Sequence, residues 1–258
     1  MDLKIENKVA IVLAASKGLG KAIATTLAAE GANVVIGSRD KNQLEAAADE
    51  IRQTAKGKVL AIAVDVNQPQ QLENIIAQTV NTFGRIDILV NNAGGPPFNK
   101  FETFNDEQWQ AAFDQNLMSF VRASRSVVPH MRQAGGGRIV NIISASVKYV
   151  MANSVLSTSM RMGVVGMAKL LADELGPDGI TVNNVAPGLI LTGRIKETMP
   201  QGDNFETALK EKSQSIPLRR IGKPEELAAL VAFLVSEPAA YITGTTIQID
   251  GGANKGIF

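Results

Sequence analysis

The chain has 258 residues, 45% of them apolar and 20% charged, and carries a net charge of +1. That length suits one large α/β domain or two small ones, the balance is that of a globular protein, and near-neutrality gives no general attraction to nucleic acid or anionic membrane. With no cysteine and one histidine, His130, the sequence excludes disulfides, thiol chemistry and Cys- or His-rich metal sites.

The opening MDLKIENKVAIVL mixes acidic and basic residues around a short apolar run, unlike a signal or transit peptide. No apolar run approaches the length of a membrane span, so a cytoplasmic protein is expected. Val9–Leu13 is apolar throughout, the pattern of a strand buried on both faces. After the loop AASKGLG, Leu19, Ile23 and Leu27 recur at helical spacing, with Gly31 as a C-cap. Asn33–Gly37 is a second strand. A helix with the stripe Leu44, Ala47, Ala48 and Ile51 follows, N-capped by Asp40 or Ser38. Val59–Val64 is a third strand, and Pro69 opens a helix that runs to Phe83. Ile86–Val90 is a fourth strand ending at NNAGG, and residues near 105–133 read as one long helix. Arg138–Ile143, Ile180–Val185 and Thr246–Asp250 complete seven strands, with helices near 154–175 and 224–236 between them.

Regular strand–helix alternation predicts a single-domain, Rossmann-type, doubly wound parallel sheet over residues 1–258, covered by helices on both faces. Residues 192–215 are polar and rich in turn formers. They read either as an insertion over a substrate site or as a solvated loop with a short helix.

In such sheets the ligand lies at the carboxyl ends of the strands, where strand order reverses. The first loop runs Ala14, Ala15, Ser16, Lys17, Gly18, Leu19, Gly20 between a buried strand and a helix. Gly18 and Gly20 let backbone approach a pyrophosphate, and the helix N-terminus adds N–H groups and positive potential. At the end of the second strand an acidic residue would hold the ribose 2′-hydroxyl of NAD. Here Gly37, Ser38 and Arg39 occupy that place, and Arg39, Ser38 and Lys17 suit the extra phosphate of NADP. NADP(H) is therefore expected over NAD(H), with Asp40, one step on, as the residue that argues for the other choice. The competing view of Arg39 is a solvated residue at a helix start.

SKGLG, Asp65-Val66, NNAG at 91–94, Asn116, Ser144, Pro187-Gly188 with Thr192, and the closing IPLRRIGKPEELAALVAFLVSEPAAYITGTTIQIDGG resemble the short-chain dehydrogenase/reductases, in their β-ketoacyl carrier-protein reductase flavour. The resemblance covers nearly the whole chain. It implies that Asp65 bonds the adenine amino group and Val66 packs on the ring. Asn92, Ala93 and Gly94 would line the adenosine and ribose side. Pro187, Gly188, Ile190 and Thr192 would hold the nicotinamide end, Asn116 would order a water chain, and Ser144 would bind the substrate oxygen. It also implies a small-molecule carbonyl or alcohol substrate and a homotetramer, or a dimer.

Two departures from the family pattern stand out. Its first loop begins Thr-Gly, where this chain has Leu13 and Ala14. Its Tyr-x-x-x-Lys motif, aligned as LSTSM against YSASK, falls on Leu156 and Met160. With Val164, Met167, Leu171 and Leu175 these two continue one apolar stripe, so they read as core and, on that alignment, as an apolar pocket wall. A leucine donates no proton and a methionine carries no charge. Tyr149, close after Ser144, is the candidate substitute acid. Arg161 adjoins Met160 but lies about 100° further around the helix, away from the lysine position. Two readings remain open: an oxidoreductase with an atypical active site, and a catalytically impaired relative that binds a cofactor or small molecule in a regulatory role.

Overall fold

β1 (Val9–Leu13) is buried at all five positions, because its two faces meet different helical layers. The computed structural model describes residues 1–193, 195 and 204–257. Period-two alternation sends Ala10 and Val12 to one core and Ile11 and Leu13 to the other. The first core is completed by Ile23 and Leu27 of α1 (Gly18–Ala29), Leu44 and Ile51 of α2 (Lys41–Arg52), and Leu227 and Val231 further on. The second is completed by Leu72 and Ile75 of α3 (Pro69–Phe83), Val127, and Ala168 and Leu175.

The strands β2 (Asn33–Ser38), β3 (Val59–Ala63), β4 (Ile88–Asn91), β5 (Gly137–Ile142), β6 (Ile180–Pro187) and β7 (Thr246–Ile249) join β1 in one sheet of order β3-β2-β1-β4-β5-β6-β7. Every pairing is parallel; Ile11 sits opposite both Val35 and Leu89. Strand order therefore reverses between β1 and β4, which is where a ligand crevice belongs. Between the strands on the right half of the sheet runs a ladder of buried amides. Asn91 Nδ2 donates to Asn141 Oδ1, Asn141 Nδ2 to Asn184 Oδ1, and Asn184 Nδ2 to the Thr246 hydroxyl, at 2.9, 2.9 and 3.0 Å. Each donor satisfies its neighbour's acceptor, which is what makes polar groups tolerable in a sheet interior.

Asp40 resolves the choice of cap for α2: its side chain accepts from the N–H groups of Asn42 and Gln43, both at 3.0 Å. The expected helix near 105–133 differs in one respect. It is α4 (Asp106–Phe113), a π-helical turn at Asp114–Met118, and α5 (Ser119–Gln133). The wider turn rotates Asn116 inward until it is fully buried. α6 (Val155–Leu175) packs on β6. With its extension to Asp178 it is long and apolar enough, by length and composition, to cross a membrane, contrary to the expectation that no such run exists. Its buried residues Leu156, Val164, Ala168, Ala172 and Leu175 make it a packing helix of this sheet.

Of the insertion near 192–215, residues 194 and 196–203 lie outside the described ones. The rest contains α7 (Asn204–Gln214), whose Phe205 and Leu209 pack with Leu189, Leu191, Ile216 and Ile221. α8 (Pro224–Leu234) returns the chain to the first core.

Candidate active site

A cavity of about 410 Å³ opens along the carboxyl ends of the strands. Its near wall is the loop after β1. Ala14, Ser16, Lys17, Gly18 and Leu19 line it, while Gly20 stands just behind. Gly18 has φ +58°, and a Cβ on Gly20 would sit 2.4 Å from the Ala14 carbonyl oxygen and 2.8 Å from Asn92 Nδ2. Only glycine lets the start of α1 close onto that loop. Ala14 itself has φ +49°, a left-handed conformation that favours glycine and in which the alanine methyl is strained. Asn92 Nδ2 donates to the carbonyls of Leu13 and Ala14 at 3.2 and 3.3 Å, tying the end of β4 to the loop after β1.

Beyond the loop, Ser38 and Arg39 lie on the wall, and the Ser16 and Ser38 hydroxyls are 3.0 Å apart. Among the described residues neither Lys17 nor Arg39 is held in an ion pair. Asp65 and Val66 follow β3 on the same wall, and Asp65 Oδ1 accepts from the Asn67 N–H at 3.0 Å. Asn92, Ala93 and Gly94 continue it. The Gly94 carbonyl accepts from Gln115 Nε2 at 2.6 Å and from Asn116 Nδ2 at 2.9 Å. Asn116 is thus placed behind the wall, holding its backbone, and its Oδ1 has no partner among the described residues. The far end is formed by Ser144, Pro187, Gly188, Ile190 and Thr192. A Cβ on Gly188 would meet Asp250 Cβ at 2.6 Å, so this loop too depends on a missing side chain.

The expectations for α6 need correcting. Leu156 has no exposed surface and Met160 is half-buried; neither lines the cavity. The residues that do are Ser157 and Arg161, one step further around the same helix. The cause is helical phase. Ser157 and Arg161 continue the buried stripe of Val164, Ala168, Ala172 and Leu175 back to the strand ends, whereas Leu156, buried too, lies about 100° to one side of it. Arg161, expected to lie away from the site, lines the cavity. Tyr149 is also off the wall. It is half-buried, and its phenol is pushed above the ordinary range by burial and then by the charge of Asp250.

Arg161 is 5% exposed. Its Nη1 donates to the Ile142 carbonyl at 2.8 Å and its Nε to the Ser157 hydroxyl at 3.2 Å. A buried cation is tolerable only with such bonds. Sequence reasoning missed both residues, together with Met151, Phe98 and Gln115 on the wall. The signal that would have found Ser157 and Arg161 was the stripe of Val164, Ala168 and Leu175 itself: three and seven residues back from Val164 stand Arg161 and Ser157.

A parallel sheet with a glycine-dependent loop at its switch point and one long cavity over its strand ends defines the class: a doubly wound, Rossmann-like protein. The family described as "Enoyl-(Acyl carrier protein) reductase" matches residues 13–254. The short-chain reductase protein NovJ of Streptomyces niveus is 37% identical over 248 residues, 96% of this chain and 94% of that protein. A 3-oxoacyl-[acyl-carrier-protein] reductase of Vibrio cholerae is 37% identical over 250 residues, 97% and 98% of the two chains. The crystal structure of L-sorbose reductase from Gluconobacter frateurii, complexed with NADPH and L-sorbose, superposes with a TM-score of 0.96 at 34% identity over all of both chains. The chain belongs to the short-chain dehydrogenase/reductase family of oxidoreductases.

Proposed function

We propose that the chain is an NADP(H)-dependent oxidoreductase acting on a carbonyl or alcohol of a small molecule, 3-oxoacyl-reductase-like, with NADPH preferred over NADH. The observation that supports it is the single cavity that runs from Lys17, Ser38 and Arg39 past Asn92–Gly94 to Ser144 and Thr192. NADPH in the sorbose reductase complex supports the same cofactor class. The glycine-dependent first loop fits a pyrophosphate, and Lys17 and Arg39, two cations without ion pairs among the described residues, fit a further phosphate. Asp40, the argument for NAD, is spent on capping α2.

When bound, the reduced dinucleotide supplies a hydride. The chain's own residues do the rest. Ser16, Gly18, Leu19 and Gly20 present the phosphate loop, and Asp65 and Val66 take the adenine. Asn92, Ala93 and Gly94 take the ribose side, with Asn116 holding the Gly94 carbonyl in place. Pro187, Gly188, Ile190 and Thr192 position the nicotinamide end, and Ser144 donates to the reacting oxygen. The reading includes a cytoplasmic homotetramer or dimer. Exposed Met162 and Leu170 on α6 offer it a self-complementary face, and light scattering measures it.

The test is a fluorescence titration with NADPH and with NADH, before and after Arg39→Ala. NADPH binds more tightly, and the substitution removes most of the difference, about 1.5–3 kcal/mol for a charged hydrogen bond. An unchanged ratio removes Arg39 from the account. A second reading, a catalytically impaired relative that senses a dinucleotide or small molecule, is favoured by one observation: among the described residues no phenol or primary amine lines the Ser144 end of the cavity. Binding without turnover on a carbonyl panel selects that reading; turnover that Ser144→Ala abolishes selects the first.

A further inference from the structure

Among the described residues, the substrate end of the cavity offers hydrogen bonds and a fixed charge, but no acid. Its polar wall consists of the hydroxyls of Ser144, Ser157 and Thr192 and the Arg161 guanidinium. A guanidinium stays protonated at every workable pH, and an aliphatic hydroxyl is no better an acid than water, so neither serves as a general acid. Among the described residues, the nearby groups that could substitute are elsewhere. Lys148 is exposed and off the wall, and Tyr149, also off it, is made a poorer donor by burial. Asp65 is on the wall but follows β3, at the other end.

The pair on α6 is arranged for a different task. Arg161 Nε donates to Ser157 Oγ, so that oxygen's accepting role is used and its own O–H remains to donate. Among the described residues this is the Ser157 hydroxyl's one hydrogen bond. The Ile142 carbonyl pins the guanidinium from the other side, which fixes a permanent positive charge in a water-poor place. Such an arrangement stabilises negative charge as it develops on an oxygen, with no reorganisation at the moment of reaction.

Resting on the nicotinamide reading above, we propose that the site reduces electron-poor carbonyls, such as vicinal diketones and quinones, whose reduced oxygen persists as an anion until water protonates it. The carbonyl carbon accepts a hydride from the reduced nicotinamide, and the C=O π pair moves onto oxygen. There the Ser157 and Ser144 hydroxyls donate to it and the Arg161 charge faces it. The oxygen then takes a proton from water, and hydroxide leaves to solvent. The dinucleotide loses two electrons and the carbonyl gains them. A simple ketone leaves a strongly basic alkoxide, for which the missing acid costs about 10²–10⁴ in rate. An electron-poor carbonyl leaves a weaker base and escapes most of that cost. Ser157 is thus a catalytic residue, and Arg161 a positioning residue that acts through it.

The experiment compares acetophenone, phenylpropanedione and phenanthrenequinone as substrates with NADPH, in the native protein and in Ser157→Tyr/Arg161→Lys. The expected result is a native preference for the diketone and quinone over acetophenone that shrinks by at least about tenfold in the double variant, which regains an acid. The native rate on the diketone is flat with pH across the neutral range. Ser157→Ala, which needs no refitting of the fold, lowers kcat on the diketone about tenfold with little change in KM. A readout without turnover uses the NADP⁺ complex. Bound nitrophenol ionises at lower pH than free nitrophenol, by its absorbance, and Ser157→Ala reverses the shift. Equal preference in both proteins, a bell-shaped native pH profile, or an unshifted nitrophenol overturns the proposal. NADPH binding with no reduction of any of the three overturns it and leaves the dinucleotide reading standing; failure to bind NADPH overturns both.

Discussion

The loop after β1 and the wall face of α6 meet across one cavity, yet they are built by opposite means. The loop is made by backbone: Gly18 at positive φ, Gly20 without a Cβ, and Asn92 holding two carbonyls. The helix contributes side chains, Ser157 and Arg161, selected by nothing but helical phase. A backbone device leaves a contiguous mark in sequence, because glycines must fall at fixed offsets. A phase device leaves none at the site itself. It is legible only from residues two turns away, and a slip of one position exchanges a hydroxyl and a guanidinium for a leucine and a methionine.

The largest effect expected from this contrast is at Gly20. An added methyl meets the Ala14 carbonyl and the Asn92 amide, both fixed by the sheet. Gly20→Ala should destabilise by about 3 kcal/mol, the upper part of the overpacking range, and abolish dinucleotide binding. Thermal unfolding and NADPH titration measure the two. A variant that folds and binds normally would show that the loop tolerates side chains, and the contrast between the two walls would collapse.

Next is Leu156→Tyr. Were Leu156 on the wall, a tyrosine there would restore a proton donor and raise carbonyl reduction. The structure buries it completely, so the ring must overpack its surroundings and bury a hydroxyl. The expected outcome is a loss of about 2 kcal/mol with no gain in activity. A gain in rate at unchanged stability would put Leu156 on the cavity wall.

The seven strands, the parallel crossovers and the position of the crevice at the strand ends were readable from the sequence. Each follows from patterns that repeat over many residues: continuous apolar strands such as VAIVL, and stripes such as Leu44, Ala47, Ala48, Ile51. What was not readable depends on a single local choice. Residues 105–133 carry one helical pattern, and nothing in it marks the π turn that buries Asn116. Asp40 and Ser38 were equivalent caps until the backbone decided between them. Tyr149 lies five residues past Ser144, and the 3-10 turn at Ala145–Val147 takes it off the wall.

Ala14 joins the two kinds of device, since it is a side chain placed where the backbone asks for glycine. At φ +49° the methyl costs about 1 kcal/mol, whereas an unfolded chain with glycine has more freedom to lose, by roughly 0.5 kcal/mol. The two terms oppose each other and the first is larger. Ala14→Gly should therefore stabilise modestly, by about 0.5 kcal/mol, read as a small rise in melting temperature. Because Ala14 also lines the cavity, removing its methyl should tighten NADPH binding by a few-fold at most. A fall in melting temperature would mean that the strain is absent and that the alanine stiffens the loop, in which case the left-handed position is held by its neighbours and not by the residue in it.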